Sequence, residues 1–280
     1  MQKYRALQRN CETRAGTGKV EFRVRPLNGN RAYCRQDTTD LKVLADVFFG
    51  EYHLPPPDLP EPRRILDLGS NIGLTMAHFA CLYPRAQILG IELDRGNLEI
   101  CRLNISPYAD RCEVIWGAAW SHGGQVSYGG KTEWGFRVGE TSQANQSVDA
   151  YTLDRLIDRL GTPVDFVKMD IEGAESSVLA HPDSWIQAVR CLKIEIHQPY
   201  TVAACVHDLQ QAGLSCEIDS RHSACVIARN RRLLASNSPS DTSRVGATDP
   251  ASRTPAGVTT RQPSNVRKPR LISAIQIKRV

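Results

Sequence analysis

Acidic and basic side chains crowd one short stretch of the chain, "FVKMDIEGAE", Phe166 to Glu175. An apolar strand there runs into Lys168, Asp170, Glu172 and Glu175, and a buried strand that ends in carboxylates must neutralise them or use them. A second stretch, "CLKIEIH", sets Glu195 and His197 two positions apart, on one face of a strand. Together these residues could orient a hydroxyl and take its proton. Asp170 can hydrogen-bond an acceptor hydroxyl or attract a cation. His197 titrates near neutral pH and is the expected proton acceptor, with Asp170 and Glu172 as catalytic companions. Glu172 is divided between pairing with Lys168 or a turn amide and touching substrate, and Glu175 is read as stabilising a helix end. The set Asp170, Glu172 and His197 could also hold Mg²⁺, but no second Asp/Asn pair follows, and no metal is expected. His78 and His122 read as structural or solvated.

A glycine turn supplies the other half. "DLGSNIG", Asp67 to Gly73, leaves a first strand and opens a helix. Gly69 and Gly73 permit a tight turn and close backbone approach, with Ser70 and Asn71 between them and free helix N–H groups behind. Asn71 stands where a dinucleotide fingerprint needs a second Gly, and the Lys-Ser/Thr ending of a P-loop is missing. A second strand ends in "GIELD", placing Glu92 about 20 residues after the turn, where a carboxylate can accept both hydroxyls of a ribose. A nucleoside ligand without a pyrophosphate, held by two acids, points to S-adenosylmethionine. Asp67 would face its cationic part, directly or through water. Glu92, with Leu93 beside it, would hold the ribose, and Ala118 to Trp120 would flank the adenine.

These side chains need a scaffold, and the chain's patterning supplies one. "KVEFRVRP" alternates Val20, Phe22 and Val24 with charged residues, and "RAYCR" follows a turn signal, predicting a hairpin. "TTDLKVLADVFFGEY" predicts a helix capped by Thr38 or Thr39. The run "PPPDLPEP" breaks the pattern, and beyond it strands alternate with helices. "RRILDLG", "AQILGIELD", "CEVIWGAAW", "VDFVKMD" and "CLKIEIH" are the strands of a mostly parallel sheet covered by helices on both faces, a Rossmann-like α/β fold. "CEID" and "SACVIAR" predict a closing antiparallel pair, and Ser121 to Gly139 a glycine-rich excursion with short antiparallel strands. The expected domains are an N-terminal cap over residues 1–60, the main domain over 61–232, and a tail over 233–280.

Composition narrows the partners. Nine cysteines lie scattered without C-x-x-C or zinc spacing, several inside apolar strands (Cys112, Cys191, Cys225), which fits a reducing, cytoplasmic setting. No apolar run reaches the roughly 20 residues that span a bilayer, and the polar start shows no secretory signal. The net charge of +5 is uneven. From Arg229 onward eleven Lys and Arg face two Asp, whereas the earlier residues carry 24 basic and 28 acidic side chains. The basic end is rich in Ser, Thr and Pro and lacks an apolar face, so it is expected to be a solvated, disordered tail. It carries no aromatic stacking residues, and nucleic acid is not an expected partner.

Taken in order, "ILDLGSNIG", "IELD", "FVKMDIEGAE" and "LKIEIH" resemble the FkbM family of S-adenosylmethionine-dependent methyltransferases. The match runs from about Val20 to Arg229 and includes the lead-in "TTDLKVLADVFFGEY". Thr-Thr-Asp replaces the family's Thr-Ser-Asp near Thr38, and the basic tail has no counterpart. The resemblance implies a class I methyltransferase fold and O-methylation of a hydroxyl on a sugar, glycolipid or polyketide-like product. An adenine N-methyltransferase would carry Asn/Asp-Pro-Pro-Tyr/Phe where this chain has "DIEG", and the Asn71 turn disfavours a dehydrogenase. A different class remains as the alternative, a catalytically silent S-adenosylmethionine-binding scaffold whose basic tail recruits nucleic acid.

Overall fold

Alternation builds the first two strands, β1 (Lys19–Val24) and β2 (Arg31–Arg35), an antiparallel hairpin whose Phe22, Val24, Ala32 and Cys34 are buried. The computed structural model describes residues 18–129, 137–138, 146–182, 184–235 and 275–276. After the hairpin comes α1 (Asp40–Ala45), continued by a π-helical turn, Asp46–Gly50. Thr39 occupies its N-cap position without a capping side-chain hydrogen bond, and Thr38 Oγ1 accepts from the Asp40 amide. Asp40 organises this start: its buried carboxylate accepts from the Arg35 amide and guanidinium, and Arg35 also donates to Asn97 Oδ1.

The main domain follows as β3 (Arg64–Leu68), α2 (Leu74–Leu82), β4 (Gln87–Glu92), α3 (Arg95–Ile105) and β5 (Cys112–Trp116). A small second sheet comes from β6 (Ala118–Ala119), β7 (Gly124–Gly129), β8 (Arg137–Val138) and β9 (Gln146–Tyr151). The chain then forms α4 (Leu153–Leu160), β10 (Val164–Met169), α5 (Glu175–Leu179), β11 (Val189–Glu195), α6 (Val202–Gln211), β12 (Ser215–Ile218), β13 (Cys225–Arg229) and α7 (Arg231–Ala235). The large sheet has the order β12-β13-β11-β10-β3-β4-β5, with β13 antiparallel to its neighbours and the other pairings parallel. This is the expected mostly parallel α/β fold. Among the described residues no helix is long and apolar enough to cross a membrane.

Strands buried on both faces place alternate residues in opposite cores. Ile65, Ile88 and Phe166 join one cluster with Phe79 and the hairpin's Phe22. Leu66, Leu68, Val167, Met169 and Ile194 join the other with Leu156 and Leu209. The hairpin therefore shares the main core, and buried Asn104 ties it down: Nδ2 donates to the Tyr33 and Ile72 carbonyls while Oδ1 accepts from the Tyr33 amide. Register matters for the site. Lys168 on β10 lies opposite Asp67 on β3 and Lys193 on β11, so all three side chains emerge on the hairpin-covered face.

β9, α6 and the short α7 go beyond the sequence reading. β9 alternates inward Val148 and Ala150 with exposed neighbours, and α6 is capped by Thr201, whose Oγ1 accepts from the Ala204 amide. The basic tail lies outside the described residues apart from Leu233–Ala235, which end α7, and β14 (Ile275–Gln276), which pairs antiparallel with the outer edge of β1. Most of the excursion from residue 130 onward likewise lies outside them.

Candidate active site

The chain runs β3, β4, β5 outward to one edge and then returns to β10 on the other side of β3. Ligands in such sheets sit at that reversal, outside the C-terminal strand ends. Here the glycine turn leaves β3 directly against the exit of β10. Gly69 has φ +78°, and a Cβ on it would stand 1.9 Å from the Asp170 carbonyl oxygen, so the two exits approach too closely for any side chain. Asn71 is also left-handed, at φ 50°, and its amide donates to Glu92 Oε2 at 2.7 Å. Glu92 Oε1 accepts from the Asp94 amide at 2.9 Å and from Asn97 Nδ2 at 3.4 Å. Three of its roughly four lone pairs are thus engaged, which leaves capacity for about one ribose hydroxyl, not the two expected. Burial raises the Glu92 pKa to about 7, against the pull of those amide hydrogen bonds.

A cavity of about 690 Å³ opens over these strand ends. Gly69, Ser70, Asn71, Glu92, Leu93, Ala118 and Asp170 line it. Asp67 and Gly73 do not, which corrects two expectations. Gly73, at φ +75°, starts α2, and a Cβ there would meet Cys101 Sγ at 2.6 Å, so its bareness serves the packing of α2 on α3. Asp67 is fully buried behind the turn because the register sets it beside Lys168, whose Nζ lies 3.4 Å from Asp67 Oδ1, donates to the Gly69 carbonyl at 3.0 Å, and sits 3.4 Å from Asp170 Oδ2. The cation Asp67 faces is therefore Lys168. Burial raises Asp67 to about 6, an effect the lysine partly offsets. Burial opposes the charge on Lys168, but the Asp67 and Asp170 carboxylates outweigh it and hold the ammonium protonated.

The second half of the site is carried by β10 and β11. Asp170, Glu172 and His197 come together as expected: His197 Nε2 is 3.8 Å from Asp170 Oδ1 and 3.5 Å from Glu172 Oε2. Glu172 thus faces the histidine from a left-handed backbone (φ 54°). Glu175 does more than complement a helix end. Its carboxylate is fully buried, accepts from the Ile171 and Gly173 amides, and stands 2.9 Å from His197 Nδ1. That contact fixes Nδ1 as the protonated nitrogen and turns Nε2 toward the cavity. Burial would lower the His197 pKa, yet the Glu175 hydrogen bond and the Asp170 and Glu172 charges raise it to about 9. The imidazole is thus cationic at neutral pH in the ligand-free protein, higher than the sequence predicts, because three carboxylates surround it.

One donor atom each from Asp170, Glu172 and His197 lies within 4.8 Å of the others, a spacing that could hold a divalent cation. Lys168 already puts a positive charge 3.4 Å from Asp170, which opposes a divalent cation bound directly to that carboxylate. His78 is structural, buried and 3.0 Å from His53 Nε2, and His122 contacts Ser121 and the Trp120 ring. The sequence did not single out Tyr52, Arg221 or His222, which also line the cavity. They come from the π-helical turn's exit and the β12–β13 connection, irregular segments with no periodicity to read. Lys42, Asp46 and Val138 complete its outer wall.

Residues 67–214 match the family model described as the methyltransferase FkbM domain. Among curated proteins, a 2-O-methyltransferase, NoeI of Sinorhizobium fredii, is 29% identical across 43% of this chain and 57% of its own length. An uncharacterized protein of Rickettsia prowazekii is 40% identical over 55 residues, 20% of this chain and 22% of its own. The chain therefore spans less than two thirds of either relative. Among solved structures, Aeropyrum pernix fibrillarin, crystallised with natively bound S-adenosyl-L-methionine, superposes with a TM-score of 0.40 at 16% identity, covering 77% of this chain and 84% of that one.

Proposed function

The chain belongs to the FkbM methyltransferase family, and on that premise we propose that it transfers a methyl group from S-adenosylmethionine to a hydroxyl oxygen held between Asp170 and His197. The observation that carries this reading is the meeting, in one cavity, of a glycine turn backed by a buried carboxylate with an imidazole aimed by Glu175.

The residues present fit the donor. Gly69 and the left-handed Asn71 leave bare backbone on the wall, Glu92 keeps a lone pair for a ribose hydroxyl, and Leu93 and Ala118 offer apolar flanks for an adenine. Asp170 and Glu172 put negative charge where a cationic ligand is favoured. When bound, the donor supplies an electrophilic methyl on a sulfonium. The chain's own residues must then align the acceptor oxygen and take its proton. Asp170 places its charge beside the donor's sulfonium, which leaves the acceptor's single O–H free to point at His197. His197 Nε2 takes the proton, and Glu175 steadies the imidazolium that forms. A cationic ligand in the same cavity disfavours the resting imidazolium and so brings the neutral base into reach.

The acceptor class follows from the family and from NoeI, whose name gives an O-methyl product; a sugar, glycolipid or polyketide-like hydroxyl is the proposed substrate. The test is transfer of labelled methyl from S-adenosylmethionine to a panel of such acceptors, with and without chelator. Transfer unaffected by chelator supports the base mechanism. Transfer abolished by chelator and restored by Mg²⁺ would make Asp170, Glu172 and His197 ligands instead. Cofactor binding with no turnover, together with salt-sensitive RNA binding, would favour the silent scaffold.

A further inference from the structure

An inner recess of the cavity is left unassigned by the transfer chemistry. It measures about 10 Å³, room for one water-sized group, and Tyr52, Lys168, Asp170 and Glu195 line both it and the main cavity. Lys168 and Asp170 are engaged with each other there. The other two are not. Within the described residues the Tyr52 hydroxyl makes no hydrogen bond, and the ion pair of the part-buried Glu195 carboxylate is a loose one, to His222 Nε2 3.9 Å away. Both side chains are only partly buried and face the cavity, so their hydrogen-bonding capacity is open to a bound molecule.

The placement of the pair is firm. Tyr52 packs its ring on His222 with centroids 5.2 Å apart. The Arg221 guanidinium donates to the Glu51 and Leu54 carbonyls on either side of it, locking that segment to the β12–β13 connection. Glu195 lies two residues before His197, about 7 Å along an extended chain. Side chains two positions apart on one strand face can reach groups a few ångströms apart on one small molecule. Burial pushes the Tyr52 phenol up, and the Asp170 and Glu195 charges add to this, so it stays a neutral O–H donor. Burial and then Asp170 raise Glu195 to about 7. An anionic group in the recess would meet the Asp170 and Glu195 carboxylates, while its two lysines are already paired, Lys168 with Asp67 and Asp170 and Lys193 with Asp219, so a neutral group is favoured over a phosphate or carboxylate.

We propose that this recess anchors a second hydroxyl of the acceptor, on the carbon next to the one methylated, with Glu195 accepting its proton's hydrogen bond and Tyr52 donating to its oxygen. The acceptor is then a neutral vicinal diol. This rests on methyl transfer to a hydroxyl at Asp170 and His197.

The test uses the full chain saturated with S-adenosylhomocysteine, with methyl hexopyranosides as probes beside their singly deoxygenated counterparts. Probe binding is followed by saturation-transfer NMR, and S-adenosylmethionine affinity by calorimetry. At least one glycoside should bind, and loss of one hydroxyl of a vicinal pair should weaken it tenfold or more. Tyr52→Phe and Glu195→Gln should each weaken the diol tenfold or more, leave the matching deoxy probe unchanged, and keep cofactor affinity within twofold. If both variants discriminate diol from deoxy probe as the wild type does, or if no glycoside binds a chain that binds S-adenosylmethionine, the recess is not a diol site. If the wild-type chain fails to bind S-adenosylmethionine at all, the cofactor reading itself falls, and this inference with it.

Discussion

At His197, Nδ1 is committed to Glu175 and Nε2 faces Asp170 and Glu172, so the ring's charge is set by its neighbours. Its folded-state pKa of about 9 lies above the ordinary 6.5. The stabilisation this gives is fully present below pH 6.5 and is lost as pH rises through about 9. Melting curves should therefore show the wild type losing stability relative to His197→Gln between those values; parallel curves would mean the imidazole is not held charged. Glu92 presents a different case, because its carboxylate braces the glycine turn as well as facing the cavity. Glu92→Gln keeps the shape and removes a charge-assisted hydrogen bond of about 1.5–3 kcal/mol. S-adenosylmethionine affinity should fall roughly 10- to 100-fold, and unchanged affinity by calorimetry would remove Glu92 from the cofactor site.

Elements set how closely those residues meet. The β3 exit and the β10 exit touch at Gly69, where φ is +78° and no Cβ fits. Gly69→Ala should separate the turn from Asp170 and abolish measurable cofactor binding while far-ultraviolet circular dichroism stays near native. Wild-type affinity in that variant would show the turn to be slack. The order of these strands and their acidic ends could be read directly, because parallel strands announce themselves as apolar runs and their ends as clustered charge. The cooperation of Glu175 with His197 could not. It depends on a left-handed Glu172 and a bend at Gly173 that fold the acid back beneath the imidazole, and a carboxylate in a first helical turn reads identically whether it caps or clamps. Asp67 misled for a related reason. Its type and position suggested a ligand contact, but only the register with Lys168 reveals that the charge is spent internally. Tyr52 lies just beyond a π-helical turn, and its route into the cavity is set by Arg221, 169 positions away, a contact no local pattern encodes.

On the scale of the whole molecule, the hairpin, α1 and the sheet share one core, and α1, the π-helical turn and the sheet's strand ends wall the cavity, so cap and catalytic strands should melt together. Beyond α7, the described part of the tail adds only a two-residue strand on an outer edge of β1. Removing residues 236–280 should cost no more than about 1 kcal/mol, a shift of roughly 2–4 °C in Tm, and leave cofactor affinity unchanged. A larger loss would make the tail part of the fold. The central claim concerns a proton passing from a hydroxyl to His197 as the methyl arrives. Single-turnover transfer of labelled methyl to an acceptor drawn from the glycoside and natural-product panel, followed across pH for wild type and His197→Gln, tests it most directly. The wild-type rate should rise about tenfold per pH unit and level off at or below about 9, as the imidazolium loses its proton. The variant should be at least about 10²-fold slower with that limb gone. A variant that keeps the wild-type rate and pH profile would contradict the account and leave the proton to Asp170 or Glu172.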